Sequence, residues 1–335
     1  RDLHVGHPVG RRILPAVRGI DLDVSAGEVV ALVGESGSGK SSAVRGITQL
    51  IRPEPGSVVL DGVELVGLRG QALRRARRDI QMVFQDPYSS LDPAMSVVDI
   101  IGEPLVVHTA QRRRERRKSA IEMLEMVGLR AEHADRYPHE FSGGQRQRIA
   151  IARALVLRPR MLIADEAVSA LDVSSQNQVL ALLQELIAEL GVACLFITHD
   201  LAVVRTIADR VAVMYLGTLV EQGTTEELFS APQHPYTKAL LSSAPVADPV
   251  VQRSRKRSRL AGELPDPMNP PAGCVFNSRC PEAVDLCHQE PPARRSPTPT
   301  SSVACHLIEP RTPGVDLTAP SGVPDGPGGD ELTPN

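Results

Sequence analysis

A glycine-rich segment that begins at Gly34 has the residue types needed to bind the phosphates of a nucleotide. It reads glycine, four residues, then glycine, lysine and serine. Glycines leave backbone N–H groups open to a phosphate, the lysine adds a mobile cation, and the serine hydroxyl can ligate Mg²⁺. The pattern predicts that a nucleoside triphosphate is bound by Gly34, Glu35, Ser36, Gly37, Ser38, Gly39, Lys40, Ser41 and Ser42.

Two adjacent carboxylates, Asp165 and Glu166, follow the apolar run 161–164. An unpaired carboxylate at the end of a buried strand is costly to keep ionised unless a cation neutralises it. We therefore expect Asp165 to coordinate Mg²⁺, directly or through water. Glu166 is predicted to polarise the attacking water as a general base. Structural salt bridges are the alternative role for both carboxylates.

The elements that must position these groups alternate along the chain. Short apolar runs predict buried strands, and stretches with helical spacing lie between them. Strands that alternate with helices favour an α/β fold with a parallel sheet covered on both faces. The predicted strands lie within 17–33, 161–164 and 192–197, and the predicted helices are 41–50, 111–127 and 174–190.

The composition of the 335-residue chain restricts its class. A hydrophobic content of 42% allows one large core or two smaller ones. The net charge of −3 gives no global reason to expect nucleic-acid binding, and the basic start of the helix 111–127 is better explained as a solvated face. No apolar run approaches the length of a membrane span, so membrane association would require a partner. The first residue is Arg1, which fits a fragment as well as one half of a longer polypeptide.

A third motif lies between the phosphate loop and the carboxylates. Residues 141–148 read Phe-Ser-Gly-Gly-Gln-Arg-Gln-Arg, and this ordered set resembles the ATP-binding cassette over about residues 13–230. The resemblance implies an ABC-type P-loop NTPase with a RecA-like core, an antiparallel β subdomain and an α-helical signature subdomain at about 86–158. It also implies that two cassettes dimerise head to tail around ATP.

The resemblance assigns further roles by motif. Gln85 matches the Q-loop glutamine, which reaches Mg²⁺ and the water, and His199 matches the switch histidine that contacts the γ-phosphate. Asp172 matches the D-loop at the dimer interface. The signature residues, expected to bind the nucleotide of the partner cassette, are Ser142, Gly143, Gly144 and Gln145.

Two positions depart from the family pattern. Cassettes usually carry an aromatic residue near position 11–13 that stacks on adenine, but this chain has Arg11, Arg12 and Ile13. Adenine is then expected to stack on a guanidinium or to pack on an aliphatic side chain. Ala167 replaces the proline that usually follows the catalytic glutamate, which predicts a less rigid loop.

Two segments beside the cassette motifs resemble oligopeptide, dipeptide and nickel importers: 86–93 and 234–241. This resemblance implies a peripheral ATPase subunit on the cytoplasmic face of the cell membrane. Its partners would be two transmembrane permeases, a second ABC ATPase domain and an extracytoplasmic peptide-binding protein, with no nucleic acid. Import of di- or oligopeptides is the expected function, and import of nickel chelates is the alternative.

A soluble cassette ATPase that acts on ribosomes or DNA is the rival class. Only about 100 residues separate Lys40 from Ser142, which leaves no room for the long coiled coil or large inserted domain of DNA-repair relatives. The importer-like segments argue against a ribosomal role. An exporter fits poorly because no fused membrane domain is present in this sequence.

The composition changes near residue 245, which divides the chain into an ATPase domain (1–245), a Pro-rich extension (246–310) and a tail expected to be disordered (311–335). Cys194 lies alone in an apolar run and is predicted to be a buried structural thiol. The other cysteines cluster in the extension with five, six and seventeen intervening residues. They are Cys274, Cys280, Cys287 and Cys305.

This spacing lacks the two-residue pairs of zinc ribbons. Four thiolates in a segment with little core of its own suggest that a metal orders it. Related importer subunits carry a 4Fe-4S cluster at these cysteines, which makes that cluster the first expectation. Structural Zn²⁺ is the second, and disulfides or free thiols are the third because a cassette ATPase works in the reducing cytosol.

Overall fold

The computed structural model describes residues 1–243 and 262–308. Its strands are β1 (Leu3–Val9), β2 (Arg12–Ile20), β3 (Val29–Val33), β4 (Val59–Leu60), β5 (Val63–Glu64), β6 (Ile80–Val83), β7 (Met161–Asp165), β8 (Ala193–Thr198), β9 (Arg210–Tyr215), β10 (Thr218–Thr224), β11 (Arg294–Arg295) and β12 (Ser302–Ala304). Its α-helices are α1 (Lys40–Ile47), α2 (Gly70–Asp79), α3 (Pro87–Ser90), α4 (Val97–His108), α5 (Arg113–Met126), α6 (Gly143–Leu155), α7 (Val173–Leu190), α8 (Leu201–Ile207), α9 (Thr225–Ser230), α10 (Pro235–Ser243) and α11 (Asp285–Gln289).

The largest sheet has the strand order β11-β12-β10-β9-β3-β8-β7-β6. The five strands from β9 to β6 are parallel. They include each buried strand that the apolar runs predict. The antiparallel edge formed by β10, β12 and β11 was not predicted, because its strands alternate in burial or are very short.

The parallel strands form the interior of the protein. All residues of β3 and β8 are buried, as expected for strands covered on both faces. Cys194 in β8 is fully buried, and burial raises its pKa to about 12, which confirms the prediction of an unreactive structural thiol. Two further two-stranded antiparallel sheets, β1-β2 and β4-β5, lie outside this layer.

A helical layer connects β6 to β7. Helix α4 packs on α5 and α6, and their apolar residues share one core with one face of the sheet. The predicted helix 111–127 is α5, shorter by a residue or two at each end. In the described ranges, no helix is long and apolar enough to cross a membrane.

The cysteine-containing segment packs on the cassette body. Phe276 is buried between Tyr215 of β9 and Tyr236 of α10, with ring centroids 5.1 and 5.4 Å away. Strand β12 adds to the sheet by pairing with β10. The buried residues of this segment thus pack against the ATPase domain and share its core. The start of the extension, which includes the basic segment 253–259, and the tail 311–335 lie outside the described residues.

Candidate nucleotide-binding site

The predicted motifs meet at one edge of the sheet because each follows the carboxyl end of a parallel strand. The phosphate loop follows β3, His199 follows β8, the carboxylate pair ends β7, and Gln85 lies two residues after β6. These four strands are neighbours in the sheet. Open α/β sheets bind ligands at this edge.

The phosphate loop joins β3 to α1 in a conformation that requires glycine. Gly39, the residue before α1, has φ of 108°, and a Cβ there would lie 2.3 Å from the carbonyl oxygen of Ala16. Backbone N–H groups at the start of α1 therefore face the pocket without side-chain obstruction. This agrees with the predicted use of the loop as a phosphate cradle.

Lys40 is buried beneath the loop. Its Nζ donates hydrogen bonds to the carbonyl oxygens of Gly34 and Glu35 at 2.7 and 2.9 Å. Burial lowers the pKa of Lys40, and the carboxylates of Glu166 and Asp165 oppose that shift. The ammonium group thus stands in the pocket among acceptors that an anionic ligand can replace.

Glu166 contacts two other predicted catalytic residues. Its Oε2 accepts a hydrogen bond from Gln85 Nε2 at 2.7 Å, and its Oε1 lies 3.1 Å from His199 Nδ1. The backbone of Glu166 has a positive φ of 48°, and its N–H donates to the carbonyl of Ile197 at 2.9 Å. The side chain is 20% exposed, so solvent can reach a carboxylate whose orientation is fixed from both sides.

Asp165 is half-buried at the end of β7. Burial raises its pKa, the neighbouring charge of Glu166 adds to the rise, and Lys40 opposes it. Binding of a divalent cation would be favoured here, because it would offset the repulsion between two adjacent, partly buried carboxylates. Together with Ser41 and Gln85, Asp165 remains our predicted Mg²⁺ site.

A cavity of about 530 Å³ contains most of these groups. Seven of its lining residues were not predicted from the sequence, namely His7, Leu14, Pro15, Ala16, Leu216, Gly217 and Pro267. Arg11, Arg12 and Ile13 are exposed and do not line it. The described lining set is His7, Leu14, Pro15, Ala16, Ser36, Gly37, Gly39, Lys40, Ser41, Ser42, Gln85, Glu166, His199, Leu216, Gly217 and Pro267.

The signature residues do not line this cavity. Ser142 caps α6: its Oγ accepts from Gln145 N at 3.3 Å, while Gln145 Oε1 accepts from Ser142 N at 3.0 Å. Asp172 caps α7 by accepting from the N–H groups of Ser174 and Ser175, which lower its pKa. The structure thus brings Gln85, Glu166 and His199 to Lys40 but leaves the signature residues elsewhere.

The segment after Gln85 contacts the signature helix. The guanidinium of Arg146 lies 4.0 Å from the ring centre of Tyr88. Arg153 donates to the carbonyl of Ser90 at 2.7 Å and pairs with Glu103 of α4 at 2.9 Å. A displacement of residues 88–90 would therefore be transmitted to α6.

The C-terminal segment reaches the phosphate loop at several points. Arg279 forms a two-point ion pair with Glu35, and Glu35 N donates to the hydroxyl of Tyr236 at 2.9 Å. A Cβ on Gly37 would lie 3.3 Å from Leu264 Cδ2. These contacts could not be read from the sequence, because more than 200 residues separate Arg279 from Glu35.

The four clustered cysteines are all free thiols, and three of them are buried. Burial, with contributions from the charges of Cys287, Cys305 and Cys280, raises the pKa of Cys274 to about 11. The thiols therefore lie within electrostatic range of one another. Within the described ranges, however, no group of three or more His, Cys, Asp or Glu side chains has an arrangement that could hold a metal.

Two family models match the chain. The model for "ABC transporter" matches residues 17–169. The model for "Oligopeptide/dipeptide transporter, C-terminal region" matches residues 220–287. The two matched ranges together include the phosphate loop, the signature, both carboxylates and three of the clustered cysteines.

Curated relatives align over nearly the whole chain. A probable peptide ABC transporter ATP-binding protein of Sinorhizobium fredii is 51% identical, covering 89% of this chain and 84% of that protein. The di/tripeptide transport ATP-binding protein DppF of Pseudomonas aeruginosa is 48% identical over 92% and 94%. The oligopeptide transport ATP-binding protein OppF of Salmonella typhimurium is 49% identical over 89% and 90%.

Among solved structures, a dimeric post-hydrolysis state of the ATP-binding cassette MJ0796 bound to ADP and Pi is similar. Its TM-score is 0.60 at 33% identity, and the match covers 67% of this chain and 97% of that one. The fold prediction of an ABC ATPase is thereby confirmed for the cassette part.

Proposed function

Because the chain belongs to the ABC transporter ATP-binding proteins of the oligopeptide and dipeptide transport family, we propose that it hydrolyses ATP to power peptide import. The observation that carries this proposal is the placement of Glu166 between Gln85 and His199 at 2.7 and 3.1 Å. A carboxylate held from both sides in the cavity of Lys40 can orient and deprotonate a water for attack on the γ-phosphate.

Each group in the cavity has a distinct part in this reaction. Lys40 would exchange its bonds to loop carbonyls for bonds to the β- and γ-phosphates. Mg²⁺, held by Ser41, Gln85 and Asp165, would neutralise phosphate charge. His199 would donate a hydrogen bond toward the γ-phosphate while its other nitrogen faces Glu166.

The signature residues would act on a second cassette. Ser142, Gly143, Gly144 and Gln145 lie at the start of α6, where backbone N–H groups favour an anion. Since they do not line the cavity of their own chain, a head-to-tail dimer would bring them to the nucleotide of the partner, with Asp172 at the interface. The partner would be an identical chain, a sister subunit or a fused half.

Exposed apolar side chains in and around the segment after β6 are the proposed docking place for the permeases. It consists of residues with 43 to 66% of their surface exposed: Phe84, Tyr88, Val106, Val107 and Tyr137. Contact with two permeases at this surface would hold the subunit on the cytoplasmic face of the membrane. The Tyr88–Arg146 contact would then link the permeases to the signature helix.

The proposed cargo is peptides, which an extracytoplasmic binding protein would deliver to the permeases, because the relatives that align over nearly the whole chain are named for peptide, dipeptide or oligopeptide transport. Nickel chelates are the alternative cargo within the same architecture. A role on ribosomes or DNA is disfavoured because the 220–287 match is to a transporter region.

We also propose that the four clustered cysteines bind a metal. The four clustered cysteines are free thiols, and thiolates are soft ligands of the kind that iron–sulfur clusters and Zn²⁺ take. A 4Fe-4S cluster is favoured over Zn²⁺ because the spacing lacks the close cysteine pairs of zinc ribbons. Iron, sulfide and zinc analysis of anaerobically purified protein tests this, with Cys280→Ser expected to lose the metal. Zinc without iron would overturn the cluster, and no metal would overturn both.

Glu166→Gln tests the central assignment. The amide keeps the shape but cannot accept the proton, so hydrolysis should nearly vanish while ATP traps a dimer that size-exclusion chromatography detects. Glu226→Gln, on the exposed surface of α9, is the control and should hydrolyse ATP normally. Wild-type turnover in Glu166→Gln would overturn the assignment.

A further inference from the structure

One wall of the nucleotide cavity comes from the C-terminal extension. Pro267 lines the same cavity as Lys40, Ser41 and Glu166, although it lies more than 200 residues away from the phosphate loop. Its neighbour Leu264 approaches the loop at Gly37. The family model of the cassette ends at residue 169, so this wall lies outside the part of the chain that the cassette model matches.

A single arginine fixes Pro267 against β2. Arg18 NH2 donates to the carbonyl of Pro267 at 2.5 Å, and Arg18 Nε donates to the carbonyl of Pro15 at 3.2 Å. The turn that contains Pro267 is closed by Asp266, whose Oδ1 accepts from Met268 N at 2.9 Å. Two proline rings of the cavity are thus positioned by one guanidinium.

The lining of the cavity contains both polar and apolar side chains, which suit different parts of a nucleotide. Lys40, Ser41, Glu166 and His199 supply charge and hydrogen bonds, which suit a triphosphate. The apolar side chains of the lining are Leu14, Pro15, Ala16, Leu216 and Pro267, and its remaining members are His7, Ser36, Gly37, Gly39, Ser42, Gln85 and Gly217. None of the described lining residues is Phe, Tyr or Trp, so a purine against the apolar side chains would meet aliphatic rings and chains, with the imidazole of His7 in the same lining.

We propose that Pro267 is a nucleotide-contacting residue that packs with Pro15 and Leu14 against the nucleoside. This inference rests on the proposed function and adds a residue of the extension to the ATP site. Binding is strengthened when the faces of the base bury apolar protein surface. Because Pro267 is held in place before the nucleotide binds, little affinity is lost in ordering it. The extension therefore contributes directly to ATP affinity.

The test compares two ligands on matched variants. Binding of a ribose-labelled fluorescent ATP is measured for wild type, Pro267→Ala and Pro270→Ala, with inorganic tripolyphosphate as the competitor that lacks a nucleoside. Pro270 is exposed in the same segment and does not line the cavity. Pro267→Ala should weaken ATP binding roughly five-fold and leave the tripolyphosphate affinity unchanged, while Pro270→Ala should match wild type.

The outcomes separate the inference from the proposed function. Equal ATP affinity in Pro267→Ala and wild type overturns the inference. An equal loss for ATP and tripolyphosphate also overturns it, because the loop would then be generally loosened. Arg18→Met, which removes the hydrogen bonds to the carbonyls of Pro267 and Pro15, should also weaken ATP binding and leave tripolyphosphate binding unchanged. Failure of the wild-type protein to bind ATP would instead overturn the proposed function.

Discussion

Arg279 of the C-terminal extension forms a two-point ion pair with Glu35 of the phosphate loop, with N–O distances of 2.6 and 3.2 Å. The Arg279 side chain is 6% exposed and that of Glu35 is 30% exposed. The Glu35 carboxylate raises the pKa of Arg279 against the opposing effect of burial. A residue next to the cysteines therefore holds the loop that is predicted to bind phosphate.

Removal of this pair should affect both stability and nucleotide binding. Arg279→Met leaves the Glu35 carboxylate without its guanidinium, so we expect a loss of about 2 to 3 kcal/mol in unfolding free energy. ATP affinity should fall because the loop loses an anchor. Denaturant unfolding and ATP titration measure the two effects.

Arg279→Lys is the matched control for the same pair. It keeps the charge but loses the fork geometry, so it should lie between wild type and Arg279→Met in both measurements. If Arg279→Met were as stable as wild type and bound ATP equally well, the ion pair would have no role in supporting the loop.

His199 should contribute to turnover and little to ATP binding. His199→Ala removes a group that faces Glu166 at 3.1 Å, and we expect kcat to fall about 100-fold. Steady-state kinetics combined with equilibrium ATP binding separates the two effects. His4→Ala, which removes only an exposed pair with Asp2, should retain wild-type kcat. A large change in ATP affinity with unchanged kcat would contradict the assignment.

Tyr88 should connect the permeases to the signature helix. Tyr88→Ala removes the ring that lies under Arg146, so reconstituted transport should fall about ten-fold while ATP binding by the isolated subunit is unchanged. Tyr88→Phe keeps the ring and should transport normally. Equal transport by Tyr88→Ala and wild type would show that coupling uses another contact.

The sequence was sufficient for the cassette because its motifs are local and follow buried parallel strands. Val29–Val33 and the glycines after it predict both the strand and the loop, and Met161–Asp165 does the same for the carboxylates. Strands of this kind must lie side by side, so residues that follow them meet at one edge. The meeting of Gln85, Glu166 and His199 follows from that rule.

The other half of the site depends on contacts that no local pattern encodes. Pro267 and Arg279 belong to a Pro-rich segment, and their positions depend on packing of Phe276 between Tyr215 and Tyr236. Arg11, Arg12 and Ile13, near which cassettes usually carry the adenine-stacking aromatic residue, are exposed, and the stacking of adenine on a guanidinium or its packing on an aliphatic side chain stays a prediction. His7 gave no signal because a single histidine in a strand has no distinguishing pattern; its Nε2 lies 2.8 Å from Ser42 Oγ.

His234 should make stability depend on pH. It is buried at the start of α10, and burial lowers its pKa from 6.5 to about 4, with the charge of Lys238 adding to the effect. Between these two values the unfolded chain binds a proton that the folded chain does not. Stability should therefore fall as pH decreases from 6.5 towards 4, by roughly 3 kcal/mol from this residue.

His234→Asn tests this dependence because it cannot titrate, while its side-chain oxygen can accept the bond that Tyr236 N donates to His234 Nδ1 at 3.1 Å. Denaturant unfolding at a series of pH values should give a shallower slope for His234→Asn than for wild type between pH 6.5 and 4. His139→Asn, which changes an exposed histidine, should keep the wild-type slope. Identical slopes for His234→Asn and wild type would mean that His234 is protonated equally in the folded and unfolded states.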